Sequence, residues 1–370
     1  MTDKNRVRVG VMQRVLPSYR VPFFDALADA FDGNVSVFAG KARKRESINE
    51  NVLPGTAKYW KALNRHFFDG KYYFCWQSGL LGWLSAYQPD VLIMEANPRY
   101  LHSPAAVRWM RACGGKVIGW GLGAPPAGGV KALPLTALRK RFIHQFDAII
   151  TYSSQGAQEY ASLEFPEDHI FVAPNAVTPR PVHPIPTRPA KYRCGHPAII
   201  FVGRLQERKR VHTLIRACAE LKTGEPPLLW IIGDGPQRYA LESLAQEIYP
   251  LTEFHGAQHG ADLEQRLRLA DLFVLPGTGG LAVQEAMSFG LPVIVGVSDG
   301  TQGDLVHREN GWLLKDDSME TLRIAISEAL SDVSALRKKG RASYQIAANE
   351  INLENMVAVF KEAVGKALEV

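Results

Sequence analysis

Short, nearly uninterrupted apolar runs alternate with longer segments of helical period along most of the chain. In the first half the runs fall at residues 7–12, 35–38, 91–94, 117–120 and 148–151. Helical stretches at 21–31, with Pro22 near the start, and at 104–113 lie between them. Runs that stay apolar on consecutive positions predict strands buried on both faces. Their alternation with helices predicts a parallel sheet covered on each side.

The pattern breaks at residues 178–189, which hold five prolines and little periodicity, and reads as a stiff linker. Alternation then resumes, with strands expected at 198–202, 228–232, 272–275 and 292–295. Helical patterning continues from residue 330 to the end. The chain is thus α/β, with two doubly wound parallel-sheet domains on either side of the linker at 179–189. At 370 residues each is large enough to bury a core.

Composition narrows the class without changing this picture. Hydrophobic residues at 46% and charged residues at 22% fit a soluble globular enzyme, and no apolar run is long enough to span a bilayer. The N-terminus runs straight into a strand, so no signal peptide is expected. Cys75, Cys113, Cys194 and Cys218 are widely spaced and the ten histidines scattered, which predicts neither a disulfide frame nor a metal site. A reducing cytoplasm is the expected location.

Charge is one-sided. Residues 1–179 carry 21 Lys and Arg against 14 Asp and Glu, and the remainder 22 against 23. Lys41-Ala42-Arg43-Lys44-Arg45 and Arg139-Lys140-Arg141 hold much of the excess. Basic residues next to Trp60, Trp83, Phe142 and Ile143 read either as contacts to an anionic membrane surface or as ordinary solvated surface. Nucleic acid is not expected as a partner, because no recognised binding module accompanies the charge.

The most informative stretch spans 274–295. It reads as strand, glycine loop, short helix, strand, with Gly290 and Pro292 ending the helix. Gly277, Thr278, Gly279, Gly280 and Leu281 would bring bare backbone N–H groups to a helix start, where the macrodipole favours anions. Glu285 lies one turn beyond Leu281 and suits a ribose, whose two hydroxyls can donate to one carboxylate. The bland alternative is an ordinary strand-to-helix turn with a solvated Glu. Upstream, Gly203-Arg204 and Lys209 follow one strand, and Gly233-Asp234-Gly235-Pro236 closes the next.

Taken together, these motifs resemble the nucleotide-binding half of the GT-B glycosyltransferases, specifically the retaining family 4 of bacterial polysaccharide and glycolipid synthesis. The resemblance implies two Rossmann-like domains facing across a cleft. An acceptor-binding domain would span 1–178 together with a final helix at about 352–370, and a nucleotide-sugar domain 190–351. It implies that Arg204 and Lys209 hold the donor diphosphate. Gly203, Gly233, Gly235, Pro236, Thr278, Gly279, Gly280 and Leu281 would line the donor, with Glu285 on the ribose. Catalysis is assigned to Arg204, Lys209 and Glu285, with no metal and no cofactor beyond the donor. On the acceptor side the loop 16–20 nominates Arg20 for an anionic group, and Glu95 is placed to orient or deprotonate a hydroxyl. Each has a plain alternative, a surface Arg and a capping or salt-bridged Glu.

The expected partners are a nucleotide-sugar donor and a glycan or lipid-linked acceptor, at the inner face of the membrane. Two departures from the family pattern stand out. Gly277 occupies the position of the first Glu of the Glu-x7-Glu pair, and Gly121-Leu122-Gly123 carries no acceptor-side His. The rival reading is a non-catalytic sugar-nucleotide-binding protein acting through a partner transferase.

Overall fold

The computed structural model describes residues 6–43, 46, 48–125, 132–222, 224–296 and 300–369. Lys44 and Arg45 of the first basic cluster, and the N-terminal five residues, lie outside these. The chain divides into two units, Met1–Val177 with Leu353–Val370, and Thr178–Asn352.

In the first unit the strands are β1 (Val9–Val15), β2 (Val35–Gly40), β3 (Lys58–Lys61), β4 (Leu63–Phe67), β5 (Phe74–Ser78), β6 (Val91–Glu95), β7 (Lys116–Gly121), β8 (Ala148–Thr151) and β9 (Ile170–Val172). The helices are α1 (Val21–Ala30), α2 (Leu80–Tyr87), α3 (Ser103–Ala112), α4 (Ala132–Ile143) and α5 (Ser154–Ala161). Seven strands form one all-parallel sheet in the order β3-β2-β1-β6-β7-β8-β9, and β4 and β5 make a separate antiparallel hairpin. The short β3, the hairpin and β9 are elements the apolar pattern missed. β3 and β4 are largely exposed, so they carry none of the continuous apolar signal of a buried strand.

The second unit holds β10 (Ala198–Val202), β11 (Leu228–Ile232), β12 (Thr252–Gly256), β13 (Leu272–Leu275), β14 (Val293–Val295) and β15 (Gly311–Leu313). Its helices are α6 (Val211–Ala219), α7 (Arg238–Ile248), α8 (Ala261–Leu269), α9 (Leu281–Ser288), α10 (Gln302–Leu305), α11 (Met319–Ser331) and α12 (Val333–Asn349). The sheet is parallel throughout, ordered β12-β11-β10-β13-β14-β15. Strand order therefore reverses between β10 and β13. In an open α/β sheet the loops leaving such a pair at its carboxyl end diverge and leave a crevice, where ligands bind.

The proline-rich stretch is not a free linker, because one of its two arginines is tied into the second unit. The Arg188 guanidinium donates to the carbonyls of Ala270 (2.7 Å), Phe289 (3.0 Å), Gly290 (3.0 Å) and Leu267 (2.8 Å). Burial, with Arg337 close by, pulls its pKa down to about 10. The final helix, α13 (Leu353–Glu369), packs on the first unit through Leu353, Met356, Val357, Phe360, Ala363, Val364 and Ala367, a single helical stripe. Phe360 meets Phe23 at 4.8 Å and Trp120 at 4.9 Å between ring centres.

Several expected surface residues are core residues. Trp83 and Ile143 are buried, and the Trp83 indole donates to the Ser36 hydroxyl at 3.0 Å. Of the cluster Arg139-Lys140-Arg141, Arg139 donates to the Pro125 carbonyl and Lys140 pairs with Glu164, while Arg141 is exposed. Two of the three cations are thus engaged by neighbouring groups.

Candidate donor site in the second unit

The crevice between β10 and β13 is built from the two loops that follow those strands. After β10 the chain passes Gly203 and Arg204 and makes a 3-10 turn over Glu207–Lys209. After β13 comes Pro276-Gly277-Thr278-Gly279-Gly280, and α9 begins on Gly280 with no side-chain cap. The Lys209 ammonium donates to the Thr278 carbonyl at 2.6 Å, and the Thr278 N–H to the Arg208 carbonyl at 3.1 Å. The structure therefore joins the cationic loop and the glycine loop directly, although about 70 residues separate them in sequence.

Two glycines make this close approach possible. A Cβ on Gly277 would stand 2.2 Å from the Arg208 carbonyl oxygen and 2.7 Å from the Lys209 Cα, both rigid backbone atoms. Position 277 thus has no room for a side chain, and the carboxylate of the family pattern is excluded by packing. Gly279, at φ +130°, would put a Cβ 2.5 Å from the Lys209 ammonium. Its missing side chain is what lets that charge lie against the loop.

The Gly233–Pro236 turn supports the same crevice from β11. Gly203 N–H donates to the Ile232 carbonyl at 2.9 Å, Gly233 N–H to Gly256 at 2.7 Å, and Leu205 N–H to Asp234 at 2.9 Å. Gly235 N–H donates to the Asp234 carboxylate at 2.7 Å, in the turn that Pro236 completes before α7. Arg204 is exposed, with no side-chain partner among the described residues. Its pairing with Glu207, the plain alternative for a loop cation, does not occur.

Glu285 lies on α9 one turn beyond Leu281 and is half-buried. Burial pushes its carboxyl above the usual range, with His259 opposing and Glu264 reinforcing the shift. A carboxylate held away from water, with no donor to it among the described residues, is ready to accept hydrogen bonds from a ligand.

Arg208 and Gln302 also belong to this site and were not singled out from the sequence. The Arg208 guanidinium donates to the Thr278 hydroxyl at 2.8 Å and the Gln206 side-chain oxygen at 3.0 Å. Its neighbour Lys209 was the only local signal. Gln302, buried at the start of α10, donates to the Gly279 carbonyl at 3.4 Å and has no signature near the motifs.

The first unit has a reversal of its own, between β1 and β6, and both acceptor-side candidates lie there. Arg20 is half-buried over an aromatic shelf, its guanidinium 4.7 Å from the Trp120 ring centre and donating to the Tyr152 hydroxyl at 2.9 Å. Burial works against its charge, but Tyr152 and Tyr19 more than offset this and raise its pKa. One of its terminal nitrogens is buried without a partner. Glu95 accepts the Arg14 N–H at 2.6 Å, and burial pushes its carboxyl up. It is therefore neither a helix cap nor half of a side-chain salt bridge. Among the described residues no three His, Cys, Asp or Glu side chains gather as metal ligands.

Comparison with known proteins places these two units. Residues 190–346 match the family described as "Glycosyl transferases group 1". The chain is 27% identical over 269 residues to a GDP-mannose-dependent alpha-(1-6)-phosphatidylinositol monomannoside mannosyltransferase of Mycobacterium tuberculosis. That alignment covers 68% of this chain and 66% of the relative. It is 26% identical over 370 residues to a D-inositol 3-phosphate glycosyltransferase of Jonesia denitrificans, covering 89% of this chain and 82% of that one. Among solved structures it is similar to Anabaena Alr3699/HepE in complex with UDP and glucose, with a TM-score of 0.65 at 15% identity over 97% of this chain and 99% of the other.

Proposed function

We propose that the chain is a GT-B glycosyltransferase, its second unit matching the glycosyl transferases group 1 family, and that it moves a sugar from a nucleotide-diphosphate donor to a glycan or lipid-linked acceptor. The observation that carries this reading is the Lys209 ammonium held on the glycine loop, beside an uncapped helix start at the strand-order reversal. A leaving diphosphate needs fixed positive charge where its own charge grows. Lys209 supplies a point charge there, Arg204 a planar fork, and the α9 start a partial positive charge. In this reading the protein's own groups carry the charge, with no cofactor beyond the donor, and the anomeric configuration is retained. The phosphatidylinositol monomannoside mannosyltransferase among the relatives supports a lipid-linked acceptor, reached from the cytoplasmic face at an anionic membrane surface.

Release of nucleoside diphosphate that depends on acceptor tests the proposal, after a thermal-shift panel of nucleotide sugars. A donor at 100 times its dissociation constant stabilises the protein by about 2.7 kcal/mol. If every donor leaves the transition unmoved, the reading fails.

Glu285→Ala should weaken donor binding about 10- to 150-fold, the worth of a charge-assisted hydrogen bond, and abolish preference for a ribo over a 2′-deoxy donor. Because the native carboxyl binds its proton more readily than an unfolded one, native stability rises as pH falls through the native pKa. Donor affinity should fall over the same window, at higher pH than for an ordinary Glu. Glu285→Gln should accordingly raise the melting temperature at neutral pH while lowering donor affinity. A variant with unchanged affinity would take Glu285 off the ribose.

Arg20→Gln should raise the acceptor KM about tenfold, the value of one charge-assisted contact, and leave the donor KM unchanged. Initial rates with both substrates varied separate the two constants. An effect confined to the donor KM would remove Arg20 from the acceptor side.

A further inference from the structure

We propose that the outward face of the β4–β5 hairpin is a docking surface for the anionic bilayer, which brings the Arg20–Glu95 end of the first unit to a lipid-linked acceptor. The two strands pair antiparallel with Arg65 opposite Trp76 and Phe67 opposite Phe74. Alternation along β4 turns Leu63, Arg65 and Phe67 outward, and places Asn64 and His66 on the inner side. Leu63 is 62% exposed, Trp76 41%, and Phe68 at the hairpin end 75%. Trp60 on the adjoining β3 and Tyr72 in the hairpin turn are exposed as well.

Phe68 adds a conformational cost to this exposure, because it sits at φ +56°, in the left-handed region that a bulky side chain rarely adopts. A folding core does not explain a strained aromatic residue turned to solvent.

The charge selects the partner. Lys58 and Lys61 on β3, Arg65 on β4, and Arg99, whose carbonyl accepts the Cys75 N–H of β5, are exposed. The one acid between residues 58 and 78, Asp69, is paired with Arg43 at 3.0 Å. Protein interfaces are poor in lysine at their centre. Amphipathic rings interleaved with Lys and Arg match the headgroup region, where the rings enter the acyl boundary and the cations meet lipid phosphates.

The inner side of the hairpin ties this face to the acceptor end of the sheet. Asn64 donates to the Arg14 carbonyl at 2.8 Å and Gln77 to the Gln13 carbonyl at 3.1 Å, while the Arg14 N–H goes to Glu95. The inference rests on the lipid-linked acceptor of the proposed function. Its test does not depend on that function.

The test is co-sedimentation of the intact protein with phosphatidylglycerol and with phosphatidylcholine vesicles at low salt. Binding is expected to the anionic vesicles only. The double variant Phe67→Ser/Phe68→Ser should weaken it at least about tenfold, in proportion to the apolar area withdrawn. Lys61→Gln and Arg65→Gln should each weaken it about fivefold, as expected for one cation near an anionic surface. Lipid-borne bromine should quench tryptophan fluorescence in the wild type, and less in Trp76→Phe. A control pair on α4, Leu138→Ser/Arg141→Gln, should bind like the wild type.

Three results would each overturn the proposal: no binding by the wild type, equal binding by the hairpin variants, or a wild-type dimer that the hairpin variants convert to monomer. Nucleotide binding measured on the same proteins keeps the two readings apart. Vesicle binding without nucleotide binding would sink the transferase reading alone, and the converse would sink only the docking face.

Discussion

Gly277→Glu, which restores the carboxylate of the family pattern, is expected to abolish donor binding instead of improving it. The new Cβ would lie 2.2 Å from the Arg208 carbonyl oxygen and 2.7 Å from the Lys209 Cα, so the two loops must separate. Separation breaks the Thr278 N–H bond to Arg208 and lifts Lys209 from the Thr278 carbonyl. A misplacement of about 1 Å at a reacting site costs on the order of a hundredfold, and overpacking a tight position about 1–3 kcal/mol of stability. Calorimetric titration of donor and a urea midpoint measure the two effects. Gly277→Ala should show the same stability loss, because the clash is made at Cβ. If Gly277→Glu binds donor normally, the loops can part and the packing explanation of the missing acid is wrong.

The second large effect is expected at the cations. Lys209→Ala and Arg204→Ala should each lower turnover about a hundredfold or more, by removing charge that stabilises the leaving diphosphate. The two should differ in stability. Arg204 is exposed with no side-chain partner among the described residues, so its loss should leave the melting temperature unchanged. Lys209 bridges the two loops, and its loss should also loosen the Thr278–Gly280 segment. Protection of those amides in hydrogen exchange is the readout. Near-normal turnover in both variants, with the fold intact, would take the pair out of the mechanism.

The missing acid at position 277 illustrates how far the motifs could be read. Arg204, Lys209, Thr278 and Glu285 could each be located from local pattern, because each follows a strand or opens a helix. That Lys209 and Thr278 touch, and that the touching backbones forbid a side chain at 277, depends on two strands being neighbours in the sheet. Arg208 escaped notice for the same reason, since its partner lies 70 positions away. The pattern also misjudged the surface. Trp83 and Ile143 read as neighbours of a basic surface but point into the core, whereas the aromatic face of the hairpin lies on strands too exposed to show the apolar signal of a buried sheet.

By itself the amino-acid sequence determined the strand–helix alternation, and with it two parallel sheets and the residues that follow each strand. Those properties are local, because burial of a strand or a helix face is written into consecutive side chains. The tertiary structure alone decided which loops meet, which cations face outward, and where a side chain has no room. It tied the proline-rich stretch to the second unit through Arg188, and it held Arg20 over Trp120 and Tyr152. Each of these depends on backbone groups from distant positions coming within hydrogen-bond or van der Waals range, and residue spacing along the chain does not encode that distance.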